Sequence, residues 1–104
     1  MGKQANIVNI NVTFRNTDAT DPLKTYVTDK MSTVLKKFVH QDTEASVVLS
    51  VEKKRQIAEI SFHADGADFN GTEESENMYK SIDALVNSVT EQLRRNKEKI
   101  TRKH

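Results

Sequence analysis

The sequence predicts an α+β fold in two layers, a four-stranded sheet with two roughly parallel helices packed on one face, in the order βαβββα. Three observations carry this. Residues 7–14, "IVNINVTF", alternate apolar and polar with a period of two, as a half-buried strand does. Residues 22–39, and the segment from Glu76 onward, repeat apolar residues at helical spacing instead. Between them lie two more alternating runs joined by a short polar connection, the pattern of a hairpin.

In the first strand Val8, Ile10, Val12 and Phe14 share one face, and Asn9, Asn11 and Thr13 the other. "RNTDATDP" reads as a loop ending in a helix start. Asp21 is the expected N-cap, with Pro22 at the first helical position, where its missing N–H costs nothing. Leu23, Val27, Met31, Val34, Leu35 and Phe38 then form the apolar stripe of the first helix. After the polar break "HQDTEA", Val47, Leu49 and Val51 alternate, and past a charged turn Ala58, Ile60, Phe62 and Ala64 do the same. Gly66 in "ADGAD" is free to take positive φ in a second turn. A short, weak strand is expected through "DFNGT", weakened by Gly71. Met78, Ile82, Leu85, Val86, Val89 and Leu93 mark the second helix, with Ile100 still in phase.

Strands adjacent in sequence usually pair, so residues 46–72 should form an antiparallel meander. Each helix has one apolar stripe and each strand one apolar face, which places both helices on the same side of the sheet. The other sheet face should expose Asn9, Asn11, Ser50, Glu59, Ser61 and His63. That face is polar and almost free of aromatics. It lacks the stacking platform that sheet-based readers of single-stranded RNA use.

Length and composition narrow the function. The 104 residues suffice for a single domain, 1–104, whose last part, about 94–104, is a basic helix end and tail. There is no cysteine, hence no disulfide framework and no thiolate chemistry. No apolar run approaches the roughly 20 residues of a membrane span, and the start "MGKQANIVNINVTF" has no secretory h-region. The chain reads as soluble and cytoplasmic. His40, His63 and His104 are scattered without metal-ligand spacing, and no nucleophile elbow, Walker-type loop or dinucleotide fingerprint is present. Glu73, Glu74 and Glu76 could in principle hold a hard cation, but they read first as a charged loop and helix start. No catalytic residue, cofactor, metal, membrane or small-molecule substrate is therefore expected.

Charge is the better lead. The chain holds 16 Lys and Arg against 15 Asp and Glu, yet residues 91–104, "EQLRRNKEKITRKH", hold six bases against two acids. Stepping about 100° per residue, Lys80, Arg95 and Arg102 fall opposite the apolar stripe of the second helix, with Lys99 at the edge of that group. In the first helix Lys30 and Lys37 lie one above the other with Tyr26 and Thr33, and Lys24 lies on the other flank. Side by side, the two helices would present one basic surface, suited to phosphates and counterion release. A bland alternative stays open on these residues alone. Glu91 with Arg95 and Glu98 with Arg102 are favourable i,i+4 pairs, and cations suit a helix C-terminus. The cluster Lys53, Lys54 and Arg55 reads as an ordinary charged hairpin tip.

The stretch "ENMYKSIDALVNSVTEQLRRNKEKI" resembles the second helix of the ribosome hibernation-promoting factor family, which includes the ribosome-associated inhibitor A proteins. Met78, Tyr79, Ile82, Asp83, Leu85, Gln92 and Leu93 stand where that family has them, and element order and length agree across essentially the whole chain. The resemblance implies a ribosome-associated translation inhibitor of stress or stationary phase. Its partners would be the 30S ribosomal subunit and 16S rRNA at the decoding A and P sites, where it would block tRNA and mRNA. Lys24 and Lys30 match basic positions of the family's first helix, and Lys37 corresponds less directly because of one extra residue between Ser32 and Lys36. Arg95, Lys97 and Lys99 match the basic end of the second helix, and Arg94 extends it.

The chain also departs from the pattern. Ser88 and Glu91 stand where the family usually has Lys and Arg, and on the helical wheel both fall on the outer stripe with Arg95. Asn77 replaces the common Asp before Met-Tyr, and Gly71 and Glu73 interrupt a strand that is usually smoother. The basic ending resembles that of long-form N-terminal domains, so the chain fits a short form or such a domain. The rival reading is a small α+β protein-interaction domain whose basic helix end binds an acidic protein without RNA.

Overall fold

The computed structural model describes residues 7–102, with side chains through Lys97. Its elements are β1 (Val8–Arg15), α1 (Asp21–Phe38), β2 (Thr43–Glu52), β3 (Arg55–Ala64), β4 (Ala67–Ser75) and α2 (Met78–Arg102). The βαβββα order is the expected one. The sheet order is β1-β2-β3-β4, with β1 parallel to β2 and the two later pairs antiparallel. Among the described residues no helix is long and apolar enough to cross a membrane.

The last three strands are longer than the alternation alone suggested, and the meander spans 43–75 rather than 46–72. The hairpin closes on two residues, Lys53 and Lys54, between the paired Glu52 and Arg55, and Lys53 takes φ 57°. Asp65 (φ 50°) and Gly66 (φ 77°) close the next hairpin, the double positive φ of a type I′ turn. β4 is a full nine-residue strand despite Gly71. That glycine has a packing reason, since a Cβ there would lie 3.1 Å from Leu85 Cδ1 and 3.7 Å from Ile60 Cγ2. A bare backbone lets α2 settle close against the sheet.

The first helix is capped one residue before the expected Asp21, and the second begins two residues after Glu76. Thr20 caps α1, its Oγ1 accepting the Leu23 N–H at 3.4 Å, and Asp21 lies inside the first turn. α2 starts at Met78 rather than Glu76, because Asn77 Oδ1 accepts the Tyr79 N–H at 2.8 Å. Fully buried Ser81 donates to Gln56 O at 2.6 Å and sits 2.9 Å from Ser75 Oγ, tying the first turn of α2 to β3 and β4. A buried hydroxyl without such partners would be destabilising, so this end of α2 is fixed in place.

The core lies between the sheet and the helices. Val27, Met31 and Leu35 of α1 and Met78, Ile82, Leu85, Val89 and Leu93 of α2 meet Ala45, Val47, Leu49, Ala58, Ile60, Phe62 and Phe69. Phe62 and Phe69, opposite each other in the β3–β4 register, stack with centroids 4.9 Å apart. One expectation for the outer sheet face fails. Ser50 is buried, sharing a row with Arg15 and equally covered Ile57.

Candidate nucleic-acid interface

The topology decides which residues can share a surface. α1 links the parallel strands β1 and β2, so it runs antiparallel to them. α2 turns back after β4, whose direction matches β1, and the two helices therefore run the same way, side by side. They meet at Tyr26, whose hydroxyl donates to Asp83 Oδ1 at 2.5 Å. The Tyr26 and Tyr79 rings stand edge to face, centroids 4.9 Å apart at 78°. The carboxylate acceptor on Asp83 raises the Tyr26 phenol above its ordinary pKa, with a smaller push from burial.

Tyr26 and Asp83 thus define the facing sides of the helices. Lys30, Thr33 and Lys37 lie on the Tyr26 stripe of α1, and the Lys30 ammonium sits 5.4 Å from the Tyr26 ring centre. On α2, Thr90 and Lys97 continue the Asp83 stripe at successive heptads. Lys80 and Arg94 occupy the outer side of α2, exposed. The fold therefore brings Lys30, Lys37 and Lys97 along the groove between the helices, with Lys80 and Arg94 on its rim.

Two candidate residues sit elsewhere. Lys24 is exposed in the first turn of α1 on the flank away from the groove. Arg95 continues the flank of α2 that overlies β4, where Gln92 Nε2 donates to Asn70 O at 2.9 Å. Arg95 is still well exposed and turned outward. The backbone at Lys99 and Arg102 continues α2, but their side chains, like Glu98 in its expected pair with Arg102, lie outside the described residues.

Ser88 and Glu91 separate in the structure. Ser88 is half-buried, its Oγ 3.8 Å from where a Cβ on Gly71 would stand, so it faces β4 rather than the outer stripe. Glu91 is exposed and reaches both arginines, 3.4 Å to Arg95 Nε and 3.8 Å to an Arg94 guanidinium nitrogen. It partly neutralises the cations that the groove rim would offer.

The charge is segregated by layer. Through Lys97 the two helices carry eight Lys and Arg against four Asp and Glu, while the four strands carry two against six. The outer sheet face holds Glu44, Glu52, Glu59, Asp68 and Glu74 with only Arg15 and Arg55 as bases. Arg55 donates to Glu74 from Nε at 3.0 Å, and that contact holds the Glu74 carboxyl below its ordinary range. Glu73 and Glu74 are successive strand residues on opposite faces, so they do not converge on a cation.

The Tyr26–Asp83–Tyr79 clasp had only half a signal in the sequence. Tyr26 falls on the Lys30 stripe and Tyr79 and Asp83 belong to the recognisable helix motif, but no spacing within one chain says that two helices meet there.

The model for the family described as Sigma 54 modulation protein / S30EA ribosomal protein matches residues 10–101. A ribosome hibernation promoting factor of Azotobacter vinelandii is similar at 36% identity, over 86% of this chain and 83% of its own. Its namesake from Klebsiella oxytoca is 33% identical over 88% and 95% respectively. Among solved structures, the N-terminal domain of Protein Y from Thermus thermophilus superposes with a TM-score of 0.76 at 28% identity, covering 84% of this chain and 97% of that one. A ribosomal subunit interface protein from Coxiella burnetii has a TM-score of 0.77 over 86% and 98%, and at 21% identity that likeness concerns the fold.

Proposed function

The chain belongs to the Sigma 54 modulation protein / S30EA ribosomal protein family, whose ribosome hibernation factors are non-enzymatic binding proteins, and from this premise we propose how it acts. It binds the 30S subunit in the cytoplasm, with residues 1–104 as one ribosome-binding unit. It lies against 16S rRNA at the decoding A and P sites and keeps tRNA and mRNA out by occupying their space. The observation that carries this reading is the split of charge between the layers, with eight bases against four acids on the helices. A polyanion would be drawn to the helix side and repelled from the sheet. Lys30, Lys37, Lys80, Arg94 and Lys97 form the centre of the contact, Lys24 and Arg95 its margins, and Lys99 and Arg102 extend it along α2. Phosphate and shape contacts dominate over base-edge readout.

Cosedimentation with 30S subunits across a salt series tests this. Binding at low salt should fall steeply and linearly on a log–log plot, and subunits preloaded with mRNA and tRNA should exclude the protein. Absence from the 30S fraction at low salt overturns the reading. Equal binding to preloaded subunits overturns the decoding-site placement alone.

A further inference from the structure

We infer that Tyr79 is a base-stacking position, on which an unpaired nucleobase of the bound RNA packs, within the surface proposed above. This rests on that reading of the helix side as the RNA-facing one.

The first observation is exposure. Among the described residues only Ile7 and Tyr79 are large apolar side chains left strongly exposed, and Tyr79 keeps 41% of its surface open in the first turn of α2, beside Tyr26 on the helix side. The second is rigidity. Its backbone N–H is held by Asn77 Oδ1, and its ring stands against Tyr26 at 4.9 Å and 78°. Tyr26 is in turn held by its hydrogen bond to Asp83. A ring fixed in this way loses little conformational freedom when a base lands on it.

The third observation is what the spot cannot bind. Asp83 places a carboxylate between the helices, and the phenol that occupies one of its oxygens leaves its negative charge in place. A phosphate laid over this part of the groove would face that charge, whereas an aromatic base would not. Two lysines are close at hand, Lys30, whose ammonium sits 5.4 Å from the centre of the neighbouring Tyr26 ring, and exposed Lys80, next in the chain. Phosphates on the rim and a base at the centre is the arrangement used by single-strand binders, in which stacking is tolerant of sequence. The sheet, with its polar outer face, offers no such platform, so this role falls to the helices.

Stacking and charge leave different marks on a salt series, which makes the test sharp. Tyr79→Leu and Tyr79→Met keep an apolar side chain beside Tyr26 but remove the ring. Both should weaken 30S binding about ten- to hundredfold, by the strength of one base stack, with the log–log salt slope unchanged. Tyr79→Phe should bind within about twofold of the unaltered protein. Lys30→Ala, the electrostatic comparison, should weaken binding and flatten the slope by about 0.7–0.9. Thermal unfolding of each variant shows that the fold is retained, and the Met variant serves if the Leu variant does not fold. Unchanged binding by the Leu or Met variant overturns the inference, as does a Phe variant as weak as they are, which would assign the effect to the hydroxyl. If the unaltered protein does not bind 30S at all, the ribosome reading fails and this one with it. If it binds and the Leu variant binds equally, only the stacking role is lost.

Discussion

The helix layer and the sheet layer of this protein are made from one nearly neutral chain, formally +1, yet they present opposite fields. The helices carry an excess of bases around a groove, and the outer sheet face carries five acids against two arginines. Net charge therefore conceals the property that matters. What an anionic partner meets depends on which side it approaches. The two layers also differ in how their charges are engaged. On the sheet Arg55 is tied to Glu74 and Glu52, and His63 to Asp68. On the helices Glu91 pairs with both Arg94 and Arg95.

Reversing charge on each layer in turn is the strongest way to break this contrast. Lys30→Glu with Arg94→Glu, one from each helix, should reduce 30S affinity by about a hundredfold or more, since two phosphate contacts become repulsions. Both side chains are exposed, so stability should stay within about 1 kcal/mol, read from thermal melts. Glu44→Lys with Asp68→Lys on the sheet should leave affinity unchanged or slightly higher. If the sheet pair weakens binding as much as the helix pair, the RNA does not choose between the layers.

Most of the layer arrangement was legible because it follows from periodicity. The alternation of Val8 to Phe14 and the stripe from Val27 to Leu35 each dictate one buried face, and two such patterns in the order βαβββα leave few ways to pack. The difficulties came where tertiary contacts overrule local preference. Gly71 reads as a strand breaker until Leu85 is seen lying over it. Ser50 reads as solvent-facing, yet it is buried in the row it shares with Arg15 and Ile57. The basic residues themselves were visible in the sequence, but their grouping was not. A helical wheel places Arg95 and Ser88 on the outside because it does not know that β4 lies beneath one flank. It places Lys97 on no particular surface, whereas the Tyr26–Asp83 contact sets that stripe toward α1.

The dependence of the helix layer on the sheet can be tested at Gly71. A valine there brings its Cβ within 3.1 Å of Leu85 Cδ1 and adds two methyl groups beside Ile60 and Ser88. Overpacking of this kind costs about 1–3 kcal/mol, a fall of roughly 4–20 °C in Tm for a protein of this size. Gly71→Ala should shift Tm by only a few degrees. The Leu85 methyl can swing aside, and the removal of glycine from a strand offsets about 0.5–1 kcal/mol of the strain. A valine variant as stable as the original would mean that α2 has room to lift, and that the groove is not held by the sheet.

The smallest expected effect is the most specific to this chain. Glu91 lies 3.4 Å from Arg95 and 3.8 Å from Arg94, so a phosphate must compete with a carboxylate already present for both cations. The competition is mild, because all three side chains are more than half exposed and such pairs are worth about 0.2–1 kcal/mol. Glu91→Ala should therefore improve 30S affinity about twofold, by release of the arginines alone. Glu91→Arg adds a further phosphate contact on the same rim, and should bind several-fold more tightly with a log–log salt slope steeper by about one. A gain in the arginine variant with no change of slope would mean that the residue acts through α2 and not through RNA. Unchanged affinity in both would place Arg94 and Arg95 away from the RNA, and would shift the contact onto Lys30, Lys37 and Lys97 in the groove.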